Sequence, residues 1–235
     1  MSKATTIRFY LASIISLTAG FKGLSQTTDF PLGGWYTYNW NTQFKETPWG
    51  LDGEVQYTGF EVVGDLDWLL VRAGVTYQPK GTNLKFAVGY GHATFGVFGP
   101  ANNKVTENRT YQQLNMPQKF GKRFYFLHRF RYEQRFFRND LYRSRLRYGL
   151  FLNIPLNNSE FNAKTWYLSL YDELFLNGER QLNDGRVLSY FDQNRIYGAV
   201  GYVFKKGLSA RVGFMRRTTN SADNAQLQVS VHHKF

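Results

Sequence analysis

The chain has 235 residues, no cysteine and a formal charge of +12 at pH 7. Without cysteine it has neither a disulfide framework nor a Cys/His zinc site, so a core or a membrane has to hold the fold. The length suits one medium-sized domain. The excess of basic residues would also fit nucleic-acid binding. The sequence patterns along the chain argue against that function.

The amino-terminal segment has the pattern of a secretory signal peptide. Lys3 and Arg8 give it a positive start, and an apolar stretch with small residues leads to Gln26. An uncleaved helical anchor is the alternative, but the apolar stretch is too short and too often interrupted for a membrane-spanning helix. We expect cleavage near Gln26, with a signal peptide at 1–25 and one domain at 26–235. Export argues against nucleic acid as a partner.

Beyond the signal peptide, apolar and polar residues alternate with a period of two, which is typical of β-strands. Turn residues separate the alternating segments. The predicted strands are residues 34–42, 51–62, 67–79, 83–93, 108–118, 121–137, 141–154, 164–176, 191–204, 207–218 and 224–235. A single-chain bacterial barrel with both ends in the periplasm has an even number of strands. We therefore expect either that one strand is missing from these eleven or that the segment around 104–118 does not span the barrel. The expected number is ten to twelve, with twelve favoured.

The alternation is clearest in residues 122–153, where arginines occupy one face and aromatic or aliphatic residues the other. Later segments repeat this layout, with aromatic residues grouped near segment ends. Membrane barrels have such aromatic girdles, an apolar outer face and a polar lumen. The sequence therefore predicts an all-β, antiparallel up-and-down transmembrane β-barrel in the outer membrane. The alternative is a soluble, periplasmic, lipocalin-like barrel.

The polar face carries the candidate site. The alternation directs nine arginines into the lumen: Arg123, Arg129, Arg131, Arg135, Arg143, Arg145, Arg147, Arg195 and Arg211. Three carboxylates share that face: Glu54, Glu133 and Glu173. A net positive lumen favours passage or binding of small anionic solutes. The alternative is a narrow barrel filled by arginine–carboxylate pairs, which does not conduct.

Two polar stretches, 96–107 and 177–189, lack the alternation, and we expect them to be the external loops. Asp172 falls on the lipid-facing side of its segment, where a carboxylate is costly. We therefore expect a β-bulge near Tyr171 or a position at the membrane rim.

The last segment alternates up to a terminal aromatic residue, Phe235. Such an ending resembles the recognition signal that outer-membrane barrels present to their assembly machinery. We expect that machinery to bind the C-terminal strand.

The sequence gives little support for a catalytic site or a metal site. His92, before a long polar stretch, is the best histidine for an outer-membrane enzyme acting on lipid, but no serine nucleophile motif accompanies it. Glu179 and Asp184 share one polar stretch without the grouping of a cation site. We expect no catalytic residue, no metal and no cofactor.

Five blocks of sequence support a family resemblance: residues 128–136, 145–148, 153–156, 171–175 and 191–195. Their order resembles the outer-membrane barrel family catalogued as domain of unknown function twenty-four ninety. The resemblance extends from Trp35 to Phe235 and implies the barrel fold and an outer-membrane location, but no activity.

We therefore expect a monomeric, non-enzymatic outer-membrane barrel of a Gram-negative bacterium. Its expected partners are outer-membrane lipids, the assembly machinery and small anionic solutes. A closed barrel whose outer loops bind a partner, and a lipid-modifying enzyme, are the alternatives.

Overall fold

The computed structural model describes residues 31–100, 103–138, 141–182 and 185–235. In these ranges the chain forms a closed barrel of eleven strands. The signal peptide predicted for 1–25 lies outside the described residues. No helix in the described ranges is long and apolar enough to cross a membrane. The strands are β1 Gly33–Gln43, β2 Trp49–Gly59, β3 Leu66–Tyr77, β4 Lys85–Phe95, β5 Val105–Phe120, β6 Phe124–Phe137, β7 Tyr142–Pro155, β8 Thr165–Asn177, β9 Phe191–Lys205, β10 Leu208–Thr219 and β11 Asp223–Lys234.

The barrel closes through a parallel pair of strands. Strands that follow each other in the chain pair antiparallel, whereas β1 pairs parallel with β11, from Gly33 opposite Gln226 to Asn41 opposite Lys234. The favoured number of twelve strands was therefore wrong, as was the expectation of a missed strand or of a non-spanning segment around 104–118, because that segment forms β5. An even number is needed only when the first strand begins and the last strand ends at the same end of the barrel, and parallel closure places them at opposite ends.

The two ends of the barrel differ in their connections. We call one the loop end, because the longest connection, 178–190, lies there together with 96–104 and the start of β1. We call the other the C-terminal end, because β11 ends there. The shortest connection, 206–207, joins β9 to β10 at the C-terminal end. The two predicted long loops therefore share one end of the barrel.

The outer face of the wall is apolar because alternate residues of each strand point away from the lumen. Side chains of adjacent strands lie side by side on this face, as Val75 and Val88 do on β3 and β4. Val88 is 61% exposed and Phe214 is 62% exposed. Isolated apolar residues on a surface are ordinary, but this belt follows most strands of the barrel.

Aromatic side chains pair on the outer face near both ends of the strands. At the C-terminal end the ring centroids of Trp49 and Tyr77, and those of Trp166 and Tyr202, are 4.8 Å apart. At the loop end the corresponding pairs are Tyr36 with Tyr57 at 6.3 Å and Phe136 with Tyr142 at 5.5 Å. The apolar belt is thus bordered by aromatic residues on both sides.

Inside the barrel, aromatic rings lie against glycines of the wall. The ring of Tyr111 on β5 covers Gly74 and Gly89, and a Cβ atom at either glycine would collide with it. The ring of Tyr167 covers Gly201 on β9 in the same way. The glycines therefore make room for large side chains within a narrow lumen.

Asp172 lies on the outer face, where the alternation of β8 places it. The register of β8 against β9 is regular at Tyr171 and shifts between Phe175 and Leu176, so the bulge near Tyr171 was wrong, and a position at the membrane rim stays a prediction. The Asp172 carboxylate accepts a hydrogen bond from the Asn194 side chain at 2.6 Å. An amide on the adjacent strand therefore compensates this exposed carboxylate in place of a bulge.

Candidate functional site

The lumen is organised around Glu133, whose side chain is fully buried. In the β6–β7 register Glu133 faces Arg145, and Nε and Nη2 of that arginine donate to Oε2 at 2.9 and 2.6 Å. Arg147, two residues further on the same face of β7, donates to Oε1 at 2.7 Å. Two guanidinium groups thus compensate one carboxylate, which a buried charge requires.

Glu173 on β8 is a second centre of the same network. It accepts hydrogen bonds from Nε and Nη2 of Arg147 at 3.0 and 2.8 Å and from Arg129 Nη2 at 2.8 Å. Arg147 therefore connects Glu133 to Glu173. Arg129 belongs to β6, which is not adjacent to β8, so this ion pair spans the position of β7.

Nearer the loop end, Glu107 on β5 accepts hydrogen bonds from Nε and Nη2 of Arg135 at 3.0 and 2.6 Å. Arg109 Nε lies 2.7 Å from the same carboxylate. Asp192, at the start of β9, accepts from Arg145 Nη1 at 2.9 Å. The ion pairs thus extend across five consecutive strands, from β5 to β9.

The opposite wall holds two further ion pairs. Arg72 on β3 pairs with Glu54 on the adjacent β2. Arg217 on β10 lies 3.0 Å from Asp67 on β3. Because β1, β2 and β11 separate β10 from β3, the pair Arg217–Asp67 reaches across the loop end of the lumen.

Aromatic side chains occupy the lumen beside these charges. Trp35, Trp68 and Tyr197 form a buried cluster with Ala199 and Met215. The rings of Trp35 and Trp68 meet edge to face at a centroid distance of 5.2 Å. Since Trp35 and Trp68 lie near the loop-end starts of β1 and β3, this cluster occupies the lumen towards that end.

Arg195 on β9 differs from the other arginines of the lumen. Its side chain is 4% exposed and its guanidinium carbon lies 4.8 Å from the Trp35 ring, 5.0 Å from the Trp68 ring and 4.6 Å from the Phe175 ring. Nε and Nη2 have no hydrogen-bond partner. A buried cation is therefore surrounded by aromatic rings, with two donors unsatisfied by the protein.

Arg195 lines a cavity of about 110 Å³ within the lumen. Polar residues of other strands face it, including Tyr171, Arg211 and Gln228. Arg211 Nε donates to the Tyr167 hydroxyl at 3.1 Å. A water molecule needs about 10–15 Å³ by the same measure, so the cavity can hold a small solute with a few waters.

Eight of the nine predicted arginines lie on the inner side of the wall: Arg129, Arg131, Arg135, Arg143, Arg145, Arg147, Arg195 and Arg211. Arg123 does not, because β6 begins at Phe124 and Arg123 belongs to the preceding turn. It is exposed, and its Nη1 donates to the Leu156 carbonyl at 3.1 Å. Anion contact by the eight stays a prediction.

The three predicted carboxylates, Glu54, Glu133 and Glu173, are all buried. Sequence reasoning missed other charged residues of the lumen: Asp67, Arg72, Glu107, Arg109, Asp192 and Arg217. Arg109 and Tyr111 lie two residues apart on the buried face of β5, so the alternation with a period of two could have predicted that Arg109 points into the lumen. Asp192 lies beside the irregular register of β8 and β9, which alternation cannot foresee.

The remaining candidates lie apart from the lumen. His92 is exposed on β4, and its Nδ1 is 2.7 Å from Asn108 Oδ1. Phe235 follows β11, and its backbone nitrogen donates to the Asn41 carbonyl at 3.0 Å. Asp184 lies outside the described residues, and those described contain no group of three metal-ligating side chains.

One family model matches the chain, over residues 32–228, from just before β1 into β11. No curated protein and no solved structure matches it. Because the model covers most of the chain and almost the whole barrel, the protein belongs to the family described as Protein of unknown function (DUF2490).

Proposed function

We propose that the protein is an outer-membrane barrel that binds a small anion in a closed lumen and does not pass solutes across the membrane. The lumen arginines, the obstructed interior and the outer apolar belt each support one part of this proposal. The main support for a closed lumen comes from the ion pairs and aromatic rings that span it. The space that they leave is a cavity, whereas a pore needs a continuous channel.

The outer face supports insertion into a membrane. The apolar belt has aromatic pairs at both ends, as for Trp49 with Tyr77 and Phe136 with Tyr142. Membrane barrels have such girdles at the two lipid–water interfaces. The pattern of a secretory signal peptide adds independent support for export.

The interior supports closure. Arg129–Glu173 and Arg217–Asp67 join strands that are not neighbours in the wall, so each contact spans part of the lumen. The Trp35–Trp68 pair fills the space beside Arg195. The space that remains around Arg195 is about 110 Å³. Hydrated ions need an uninterrupted wide passage, so we expect no steady conductance.

The charge of the lumen supports an anion as the bound solute. Seven arginines but only two glutamates line the cavity: Arg72, Arg109, Arg129, Arg145, Arg147, Arg195 and Arg211 with Glu54 and Glu173. Walls of low dielectric strengthen the field of such an excess. A cation would meet repulsion there, whereas an anion would gain hydrogen bonds.

Single-channel recording in a planar bilayer tests closure. We expect the refolded mature protein to give no discrete conductance steps, while circular dichroism and heat-modifiable migration on gels show that it is folded. Anion-selective steps from the unmodified protein would contradict the closed lumen.

Two double variants serve as the conducting and the silent control for the recording. Replacing Trp35 and Trp68 by alanine removes the rings that obstruct the loop end, and we expect this variant to conduct. Replacing Trp49 and Trp166 by alanine removes two tryptophans from the outer girdle, and we expect this matched variant to stay silent.

A further inference from the structure

Arg195, which lines the cavity, has one edge of its guanidinium group without a hydrogen-bond acceptor. A guanidinium group presents Nε and one terminal nitrogen on the same edge, where two parallel N–H groups fit the two oxygens of a carboxylate. In Arg195 the two donors without a partner are Nε and Nη2. The unsatisfied donors therefore form one complete edge.

Other arginines of the same lumen use this edge to hold a carboxylate. Arg135 binds Glu107 through Nε and Nη2, at 3.0 and 2.6 Å. Arg147 binds Glu173 through Nε and Nη2, at 3.0 and 2.8 Å. Arg195 shows the same edge without the carboxylate.

Charge compensation gives a second, independent argument. Five of the seven arginines that line the cavity are paired with carboxylates in the structure. Of the described carboxylates, none lies within ion-pair distance of Arg195 or Arg211. Leaving a buried charge uncompensated is costly, so the cavity favours a ligand with one or two negative charges.

We propose that the cavity is a binding site for a small oxyanion of carboxylate or phosphate type, held by the Nε–Nη2 edge of Arg195 and attracted by Arg211. This inference deepens the proposed function by naming the ligand class and its principal contact. Trp35, Trp68 and Phe175 surround the guanidinium and fix the position of the edge. Nε and Nη2 are themselves closed off from solvent, so the surrounding side chains have to move before a ligand in the cavity reaches the edge.

The geometry also assigns a direction of access. A second cavity, of about 300 Å³, adjoins the first at Arg211 and His232 and is lined by Asn41 and Ser209. These residues belong to the C-terminal end, since β1 ends just after Asn41 and β10 begins just before Ser209. Trp35 and Trp68 obstruct the loop end. The anion therefore reaches Arg195 from the C-terminal end of the barrel.

Calorimetry and thermal unfolding of the mature barrel in detergent test the site, with inorganic phosphate, succinate and chloride as probes at equal ionic strength. We expect phosphate or succinate to bind and to raise the unfolding temperature above that in chloride, since a ligand of the native state stabilises it. Equal unfolding temperatures in all three, with no heat of binding, would overturn the inference.

Variants locate the site within the lumen. Arg195→Leu is expected to weaken oxyanion binding at least tenfold, because it removes the edge, whereas Arg123→Gln in the exposed turn should bind like the unmodified protein. Arg195→Lys keeps the charge but loses the paired donors, so it gives the same weakening even if the leucine variant does not fold. Unchanged affinity in Arg195→Lys would overturn the Arg195 site and leave a closed, anion-binding lumen standing.

Cysteine labelling tests the direction of access in a chain that has no cysteine of its own. A bulky maleimide on Ser209→Cys should slow or abolish oxyanion binding, because it narrows the C-terminal end. The same label on Ser221→Cys, in the β10–β11 connection at the loop end, should leave binding unchanged. The opposite pair of results would reverse the assigned direction.

Discussion

At the level of single residues, the charged side chains of the lumen differ in whether their hydrogen-bonding groups have partners. Glu133 and Glu173 each accept several hydrogen bonds from arginines, whereas Arg195 has an edge without a protein acceptor. Buried ion pairs give limited net stability, but breaking one leaves an uncompensated charge. The paired residues should therefore control folding, and the unpaired one ligand binding.

Glu133→Gln tests the structural half of this contrast. The variant keeps the shape of the side chain but removes the negative charge that Arg145 and Arg147 share. We expect the free energy of unfolding to fall by about 3–5 kcal/mol, the usual cost of removing one partner of a buried pair. Urea unfolding measures it. Glu160→Gln, in an exposed connection, is the control and should change it by less than about 0.5 kcal/mol.

Glycine substitutions test the packing of rings against the wall. In Gly89→Ala the new methyl group collides with the ring of Tyr111, so we expect a loss of about 1–3 kcal/mol in unfolding free energy. Gly198→Ala is the matched control, because its nearest neighbour would be Leu170 Cδ2 at 3.6 Å, an ordinary contact. Equal stability of the two variants, again measured with urea, would show that Tyr111 does not rest on Gly89.

At the scale of strands, each of the eleven alternating segments corresponds to one strand of the barrel. Alternation is a local property, so the sequence could predict the strands and most inward arginines. The barrel closes where β1 pairs with β11, and these strands are far apart in the sequence. The direction of this pairing is not a local property, and for that reason the expectation of an even number of strands was wrong. The ring of Trp35 reaches Arg195 from a distant strand, and no local pattern signals such a contact.

Parallel closure can be tested by cross-linking. Thr37 on β1 faces Ser230 on β11 in the parallel register. A barrel with Thr37→Cys and Ser230→Cys should react with a short bifunctional thiol reagent to give a cyclised product of altered gel mobility. The pair Asn41→Cys and Gln226→Cys, which would face each other if β1 and β11 paired antiparallel about Thr37 and Ser230, should react poorly. Efficient cross-linking of this second pair would contradict the parallel pairing.

At the scale of the whole molecule, the two faces of one wall meet different surroundings. The outer face carries the apolar belt, and the inner face carries ion pairs together with Arg195 and Arg211, which have no described carboxylate within ion-pair distance. A soluble protein rarely exposes such an apolar belt, whereas lipid would cover it. The closed lumen can act in the envelope only if the barrel spans a membrane.

Fluorescence of an environment-sensitive label on Val88→Cys tests whether the barrel spans a membrane. Val88 lies within β4 on the outer face, three residues after the strand begins, and Ser221→Cys in a connection at the barrel end is the matched reference. In lipid vesicles we expect the label on Val88→Cys to report an apolar environment and to be quenched by spin-labelled lipid, while the label on Ser221→Cys is quenched by water-soluble iodide. Quenching of both labels by iodide, with no effect of spin-labelled lipid on Val88→Cys, would contradict a membrane-spanning barrel.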